Sequence, residues 1–191
     1  MILLRGPWKE GYAFSSHSIS SEFLGNDELG NPRFKTVRTA MGECLYRIKY
    51  WQDSTQINAI MSMLISDADF CSLIARVNEI LIVPPSNIGR VIQPVVCVAT
   101  KIAEHFGKTL NVQALQTTNR EQIKNLDESD REAVMRRSAI INTSVLDACK
   151  SYIILDDVYD TGSTLKTYAA LLQEQGFADI SIFTLTKVRS R

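Results

Sequence analysis

The sequence predicts an α/β fold in which a mainly parallel sheet is flanked by helices, with an irregular and helical cap at the N-terminus. After Glu79, short unbroken apolar runs typical of strands buried on both faces alternate with amphipathic helical segments. Before Glu79 the pattern is helical and irregular. The expected division is therefore a cap at residues 1–78 and an α/β core at residues 79–191.

The composition is that of an ordinary globular domain. The chain has 191 residues, of which 45% are hydrophobic and 22% charged. Its 21 Lys and Arg balance its 21 Asp and Glu, so no bulk positive field favours nucleic-acid binding, and only a local basic patch stays open. The 4 cysteines stand singly, without zinc or redox spacing. We expect reduced, mostly buried thiols in a cytoplasmic protein with neither a signal peptide nor a membrane span.

The first part of the chain carries two kinds of pattern. The stretch from Gly11 to Phe34 is rich in Ser, Gly and Asn, which predicts a hairpin or loop. From Thr36 to Tyr50, apolar residues recur at steps of three and four, and the stretch from Gln56 to Leu64 is similar. Both stretches are predicted helices of the cap.

The second part alternates strands with helices. A strand from Ile80 to Val83 is ended by Pro84 and Pro85, and an apolar helix face after Arg90 is closed by Gly107. The further predicted strands run from Leu110 to Leu115, from Ser151 to Leu155 and from Ile180 to Leu185. A helix ended by Gly176 stands before the last of them. This order implies right-handed parallel crossovers.

The segment from Ile153 to Leu165 is the most informative part of the sequence. Two acids, Asp156 and Asp157, follow a buried strand, and a small polar loop then opens a helix. The loop consists of Asp160, Thr161, Gly162, Ser163 and Thr164. Ligands of open α/β sheets bind at the carboxyl ends of strands, and a helix N-terminus offers free N–H groups to an anion. A phosphate suits that place, since glycine permits close approach and hydroxyls add donors.

The paired acids restrict the ligand further. Asp156 and Asp157 would repel a bare phosphate, but they suit a ligand with vicinal hydroxyls or a bound Mg²⁺. A phosphorylated ribose with Mg²⁺ has both features. The simpler alternative is a solvated strand end followed by a helix N-cap at Thr161 or Ser163. The two acids and the polar loop occur together after a buried strand, and this combination favours the ligand site over the simpler alternative.

At these residues the chain resembles the phosphoribosyltransferases, whose signature is a strand ending in two acids and a Thr-Gly-x-Thr loop. It is similar in particular to the ComF-like, competence-associated branch, through the helix from Gly42 to Tyr50 and the strand and loop from Ile82 to Ser86. The resemblance covers roughly Thr39 to the C-terminus. It implies a type I phosphoribosyltransferase-like fold with a hood-like cap. Asp160 departs from the pattern, because the family usually has threonine there.

The resemblance also implies residue roles for the binding of 5-phosphoribosyl-1-pyrophosphate (PRPP). Asp156 and Asp157 would be the catalytic acids and would bind the ribose hydroxyls and Mg²⁺, the expected cofactor, while residues 160–164 would hold the 5-phosphate. The pyrophosphate loop would comprise Pro84, Pro85, Ser86, Asn87 and Arg90. A lid over PRPP would span Thr117 to Arg137, with Arg120 and Lys124 as lid residues. For that stretch a solvated charged helix stays an equal alternative.

The implied function is a Mg²⁺-dependent phosphoribosyltransferase of nucleotide metabolism. It would transfer the phosphoribosyl group from PRPP to an unidentified acceptor, or cleave a nucleotide in reverse. The alternative is a PRPP-sensing or nucleotide-sensing module, or an effector subunit of a larger bacterial assembly such as a defence system, with little turnover. A protein partner or a second copy of the chain stays open in either case. His17 and His105 have no partner at nucleophile or metal spacing and are expected to be structural.

Overall fold

The predicted alternation of strands and helices forms a mixed α/β structure. The computed structural model describes residues 1–87, 89–118 and 128–188, in the last range with side chains from residue 133 onward. Its strands are β1 (Ile2–Leu3), β2 (Glu10–Ser16), β3 (Ser18–Asn26), β4 (Pro32–Arg38), β5 (Glu79–Ile82), β6 (Thr109–Asn111), β7 (Leu115–Thr117), β8 (Ala139–Ile141), β9 (Tyr152–Tyr159) and β10 (Ile180–Lys187). Its helices are α1 (Ala40–Trp51), α2 (Gln56–Ile65), α3 (Ala68–Ala75), α4 (Pro94–Phe106), α5 (Glu128–Ser138) and α6 (Ser163–Glu174).

The central sheet confirms the predicted parallel arrangement. It has 6 strands in the order β1-β2-β10-β9-β5-β6. All neighbours are parallel except β1, which is antiparallel to β2. The apolar run from Tyr152 to Leu155 is buried because β9 lies inside the sheet, between β10 and β5, with side chains covered on both faces.

Helices cover both faces of this sheet. On one face, α1 to α4 pack on Ile153, Leu155 and Phe183; on the other, α6 packs on Ile154 and Ile182. The core-facing residues of α6 are 0–1% exposed, namely Leu165, Tyr168, Ala169 and Leu172. Burial of each large apolar side chain contributes about 1.5–3 kcal/mol, so both layers hold the sheet in place.

Local signals determine where the helices begin and end. Thr39 caps α1 by accepting the Gly42 N–H at 3.1 Å, and Asp67 caps α3 by accepting the Phe70 N–H at 2.8 Å. Pro94 stands in the first turn of α4, and Gly107 ends that helix in the left-handed conformation, as predicted.

The N-terminal region differs from the prediction of a separate cap. Strands β1 and β2 lie within residues 1–78 but are hydrogen-bonded into the central sheet, so that sheet does not begin at residue 79. Between Gly11 and Phe34 the expected hairpin is present as β3 and β4, whereas β2 was not predicted. Its partner β10 lies at the opposite end of the sequence, and that pairing leaves no local signal in the Ser-rich stretch.

Two predicted boundaries were wrong for local reasons. The helix expected from Thr36 starts at Ala40, because residues up to Arg38 pair with β3. The single strand expected from Leu110 to Leu115 is two short strands, β6 and β7, in different sheets. The Asn111 carboxamide Oδ1 accepts the N–H groups of Gln113 and Ala114 at 3.1 Å, which turns the chain between them.

Two further expectations concern cysteines and the membrane. Cys44 is buried, but Cys71 and Cys97 are half-buried and Cys149 is exposed, so the expectation of mostly buried thiols was wrong. None of the described helices is by itself long and apolar enough to cross a bilayer. Helices α2 and α3 reach that length and composition only together, and the chain bends by 85° between them. Both helices pack in the core.

Candidate functional site

The two adjacent acids lie at the open end of the interior strand β9. Strand β5 pairs with β9 only as far as Ile82 opposite Leu155, whereas β10 continues to Lys187 opposite Tyr159. Residues 156–159 therefore have a neighbouring strand on one side only, within the described part of the chain. On the other side the chain leaves β5 at Pro84, which opens a cleft beside both acids.

The strand that carries the acids is longer than predicted. It was expected to end at Leu155, but it continues through Asp156 and Asp157 to Tyr159. The reason is β10, whose buried residues Thr184 and Thr186 keep pairing with it. The backbone of both acids is thus held by a sheet rather than by a loop.

The loop between β9 and α6 is shaped by Gly162. Its φ of 79° lies in the left-handed region, and a Cβ at this position would lie 2.3 Å from the Tyr159 ring. Glycine meets both demands without strain. The chain enters α6 at Ser163, so the first N–H groups of a 12-residue helix lie beside the loop. The hydroxyls of Thr161 and Ser163 are 2.8 Å apart at the same place.

The segment after β5 is held by a side chain that sequence reasoning missed. Gln93 Nε2 donates to the carbonyl oxygens of Asn87 at 2.6 Å and Arg90 at 3.0 Å. Asn87 Oδ1 accepts the Gly89 N–H at 3.1 Å and turns the chain. Gln93 immediately precedes α4, and nothing in its local pattern distinguishes it from an ordinary surface glutamine.

Two adjoining cavities bring most of the predicted site residues together. A cavity of about 290 Å³ is lined by Pro84, Pro85, Ser86, Arg90, Asp156, Asp157 and Thr164, with Lys49, Tyr50, Gln93 and neighbouring apolar residues. A cavity of about 90 Å³ is lined by Asp160, Thr161, Gly162, Ser163 and Thr164, with Asp156 and neighbouring apolar residues. Asp156, Val158 and Thr164 line both, so the cavities adjoin. Asn87 lines neither of them.

Lys49 reaches into the larger cavity from the N-terminal region. Its Nζ lies 2.8 Å from Asp157 Oδ2, and the side chains of Lys49 and Asp157 are 18% and 19% exposed. An ion pair at this depth is screened less by solvent than one on the surface. The 3.6 periodicity indicated α1 as a helix, but its sequence gave no sign that this lysine meets β9.

Close packing fixes α1 in this position. A Cβ on Gly42 would lie 2.0 Å from the His17 carbonyl oxygen, so only glycine allows α1 to approach the chain there. Thr39 Oγ1 donates to the Ser16 carbonyl at 2.7 Å, and Leu45 is fully buried on the core side of the helix. These contacts set the end of α1 beside Asp157.

His17 lies behind the acids and was expected to be structural. Its Nδ1 is hydrogen-bonded to Thr186 Oγ1 at 3.1 Å, and Thr186 Oγ1 in turn lies 3.4 Å from the Asp157 carbonyl oxygen, to which it donates. Burial lowers the pKa of His17 below its ordinary value of 6.5, and the cations Lys49 and Arg38 lower it further while Asp157 opposes them. A neutral His17 therefore supports the strand that carries the acids.

Comparison with solved structures decides the fold. A crystal structure of an adenine phosphoribosyltransferase matches with a TM-score of 0.51 at 11% identity, covering 89% of this chain and 86% of that one. An adenine phosphoribosyltransferase from Thermoanaerobacter pseudethanolicus gives 0.45 at 15% identity, covering 87% and 95%. An orotate phosphoribosyltransferase from Aeropyrum pernix gives 0.42 at 13% identity, covering 84% and 73%.

The chain has the type I phosphoribosyltransferase fold. This confirms the predicted mainly parallel sheet flanked by helices, and the match that carries the argument is the first, with its TM-score of 0.51. No family model and no curated protein matches the sequence. The ComF-like branch therefore stays a prediction.

The predicted lid lies only partly within the described residues of this phosphoribosyltransferase fold. Arg120 and Lys124 lie outside them. Of the stretch from Thr117 to Arg137, the described parts are the end of β7 and α5, and β7 pairs antiparallel with β8. Arg136 of α5 forms an ion pair with Glu174 of α6 at 2.6 Å, so the end of α5 is attached to the helix that follows residues 160–162.

The two acids are the candidate ligands for the predicted Mg²⁺. Among the described residues, no group of three or more His, Cys, Asp or Glu side chains is placed to hold a metal ion. Asp156 Oδ1 accepts the Asp157 N–H at 2.8 Å, and Asp157 Oδ2 is paired with Lys49. One or two carboxylates beside an open cavity fit Mg²⁺, which keeps several waters and is usually completed by substrate oxygens.

Proposed function

We propose that this chain binds PRPP with Mg²⁺ and transfers its phosphoribosyl group to an acceptor. The observation that carries the proposal is the pair of adjoining cavities. The acids lie between the glycine-containing start of α6 and the loop that bears Arg90. PRPP is a ribose with a phosphate at one end and a pyrophosphate at the other. Its three parts correspond in order to the smaller cavity, the acids and the larger cavity.

Each part of the site has a chemical role in this proposal. The N–H groups at the start of α6 and the hydroxyls of Thr161, Ser163 and Thr164 bind the 5-phosphate. A carboxylate of the acid pair accepts from the ribose hydroxyls, and Asp156 lies where both cavities meet. The Arg90 guanidinium, on the loop held by Gln93, binds the pyrophosphate.

The reaction needs placement more than a protein nucleophile. The acceptor forms a bond to the ribose C1 carbon while the bond from C1 to the pyrophosphate oxygen breaks, and pyrophosphate leaves with both electrons. The transition state resembles an oxocarbenium ion, so the site contributes by holding the ribose and leaving group in line. Mg²⁺ would neutralise charge on the pyrophosphate. Reversal of the same step on a nucleotide, with pyrophosphate as the attacking group, uses the same contacts.

Calorimetry tests the binding step. PRPP titrated into the full chain with saturating Mg²⁺ is expected to give heat in the wild type and to lose at least about tenfold in affinity in Asp156→Asn, because each hydrogen bond to a charged group contributes about 1.5–3 kcal/mol. Asp179→Asn is the matched control, since Asp179 pairs with Lys9 in an exposed ion pair remote from both cavities. Equal affinity in Asp156→Asn and wild type would contradict the proposed site.

Pyrophosphate release tests the transfer step. PRPP with Mg²⁺ and a panel of nucleobases is expected to yield pyrophosphate at a rate that depends on one acceptor, and Asp156→Asn is expected to abolish it. Tight PRPP binding with no release across the panel would identify a binding-only module instead. Those two outcomes separate the enzyme from the sensing or effector alternative.

A further inference from the structure

The two acids of the site differ in their surroundings, although the sequence places them side by side. Asp156 borders both cavities, whereas Asp157 borders only the larger one, beside Lys49 and Tyr50. Asp157 carries the 2.8 Å ion pair with Lys49. Consecutive side chains of a strand point to opposite faces of the sheet, and α1 lies on the face of Asp157.

The charges around the larger cavity balance only because of Lys49. Among the described residues, its charged lining consists of two cations, Lys49 and Arg90, and two anions, Asp156 and Asp157. Without Lys49 the lining would carry one negative charge in excess. A polyanion such as PRPP would then meet repulsion, while a divalent cation would be attracted more strongly.

The position of Lys49 is built into the fold. A lysine side chain loses rotamer freedom when it is held in one place, so an exposed lysine rarely stays fixed. Here Lys49 is 18% exposed in its side chain, and α1 is fixed by the contact of Gly42 with the His17 carbonyl. The ion pair is thus a property of how α1 packs on the sheet.

We propose that Lys49 is a positioning residue that holds and neutralises Asp157, leaving Asp156 as the carboxylate that faces the cation and ribose of the ligand. This inference rests on the proposed function for the identity of the ligand. The division of labour follows from the ion pair of Asp157 and from the position of Asp156 where both cavities meet. Lys49 acts through Asp157 and not on the reacting atoms.

Titrations with Mn²⁺ alone and with PRPP at saturating Mg²⁺ test the assignment in the full chain. Lys49→Met keeps the length of the side chain and removes its charge. We expect it to bind Mn²⁺ about tenfold more tightly and PRPP about tenfold more weakly, because the charge of Asp157 is no longer offset. Lys49→Arg restores the cation and is expected to stay within about threefold of wild type for both ligands.

The matched control is Lys101→Met. Lys101 forms an exposed ion pair with Glu104 at 2.8 Å on the surface of α4, so its loss should change neither titration. If Lys49 had a purely structural role, Lys49→Met would bind both ligands more weakly and would have a lower melting temperature. That result, or Mn²⁺ titrations that are equal in wild type and Lys49→Met, would overturn the assignment.

The Mn²⁺ titration and the PRPP titration together separate this inference from the proposed function. If wild type gives no heat with PRPP, the proposed function fails, but the Mn²⁺ comparison still decides whether Lys49 neutralises Asp157. If PRPP binds and Lys49→Met leaves both affinities unchanged, the proposed function stands and the role of Lys49 falls.

Discussion

At the scale of single residues, the site depends on the backbone of Gly162 and on the surroundings of His17. Gly162 combines a left-handed backbone with contact against Tyr159, which is 7% exposed, and so shapes the loop between β9 and α6. His17 is kept neutral by burial and by the cations Lys49 and Arg38. Each of these constraints leads to a measurement.

Gly162→Ala is expected to destabilise the chain through two costs. The left-handed conformation costs a non-glycine residue about 1–2 kcal/mol. Overpacking against the Tyr159 ring adds about 1–3 kcal/mol, since a Cβ would lie 2.3 Å from it. Gly176→Ala is the control, because its φ of 90° is also left-handed but no atom lies within 4 Å of a Cβ there. Urea unfolding measures the loss of stability in both variants. Equal losses in Gly162→Ala and Gly176→Ala would show that the Tyr159 contact contributes nothing.

The lowered pKa of His17 predicts a loss of stability in acid. Because its pKa in the folded chain lies below the ordinary value of 6.5, the unfolded chain takes up a proton at a higher pH than the folded chain. His17 therefore lowers the free energy of unfolding as pH falls from 6.5 through its folded pKa. Replacement by an uncharged residue removes this loss.

Unfolding of wild type and His17→Gln at pH 7.5 and at pH 5.5 checks this sign. We expect the free energy of unfolding to fall less between these pH values in His17→Gln than in wild type. His105→Gln is the comparison, because the His105 ring contacts Phe106 on α4, away from the acids. An equal fall in wild type and His17→Gln would contradict the predicted contribution of His17.

At the scale of elements, the site is assembled where two loops are each fixed by a neighbouring helix. Asn87 and Arg90 are attached to the start of α4 through Gln93, and residues 160–162 lead directly into α6. Helix α1 adds Lys49 from a third direction. Binding groups on loops thereby gain the rigidity of the helices behind them.

Gln93→Leu is expected to release the loop that carries Arg90. The variant removes hydrogen bonds to the Asn87 and Arg90 carbonyls, each of which contributes about 1 kcal/mol. We expect PRPP affinity to fall about fivefold. A small drop in melting temperature would not by itself explain a loss of that size. Gln116→Leu is the control, since Gln116 donates to Gln113 at 3.0 Å and lines neither cavity. An unchanged PRPP affinity of Gln93→Leu in calorimetry would show that the loop is held by other contacts.

At the scale of the whole molecule, stability and binding are located in different parts. The sheet and the helices on its two faces contain the buried clusters, and the cavities lie beyond the carboxyl end of β5. The β3-β4 hairpin stands apart from both. Its large apolar residues are exposed by 43–87%, and they include Phe23, Leu29 and Phe34.

Shortening this hairpin is expected to leave the fold intact. Ser20 lies opposite Val37 in the ladder, so an Asn-Gly turn between them can replace residues 21–36. The removed residues are mostly exposed, and we expect a melting temperature within about 4 °C of wild type, the shift that about 1 kcal/mol produces at this size. Circular dichroism melting measures it. A loss of cooperative melting would show that the hairpin supports the core.

Much of the fold was predictable because its signals are local. The apolar runs of β5, β9 and β10, the buried face of α6 and the glycine ends of α4 and α6 are each written within a few neighbouring residues. Secondary structure follows such patterns, and parallel order follows from their alternation. The candidate acids and the loop of residues 160–164 could be singled out for the same reason, since they are consecutive in sequence.

The sequence by itself determined the layered α/β class and the segment from Asp156 to Thr164 as its most informative site. Only the tertiary structure decided that β2 joins the sheet beside β10, and that α1 pairs Lys49 with Asp157. The physical reason is that such contacts join residues far apart in the chain. They depend on sheet register and helix packing, which no local pattern encodes.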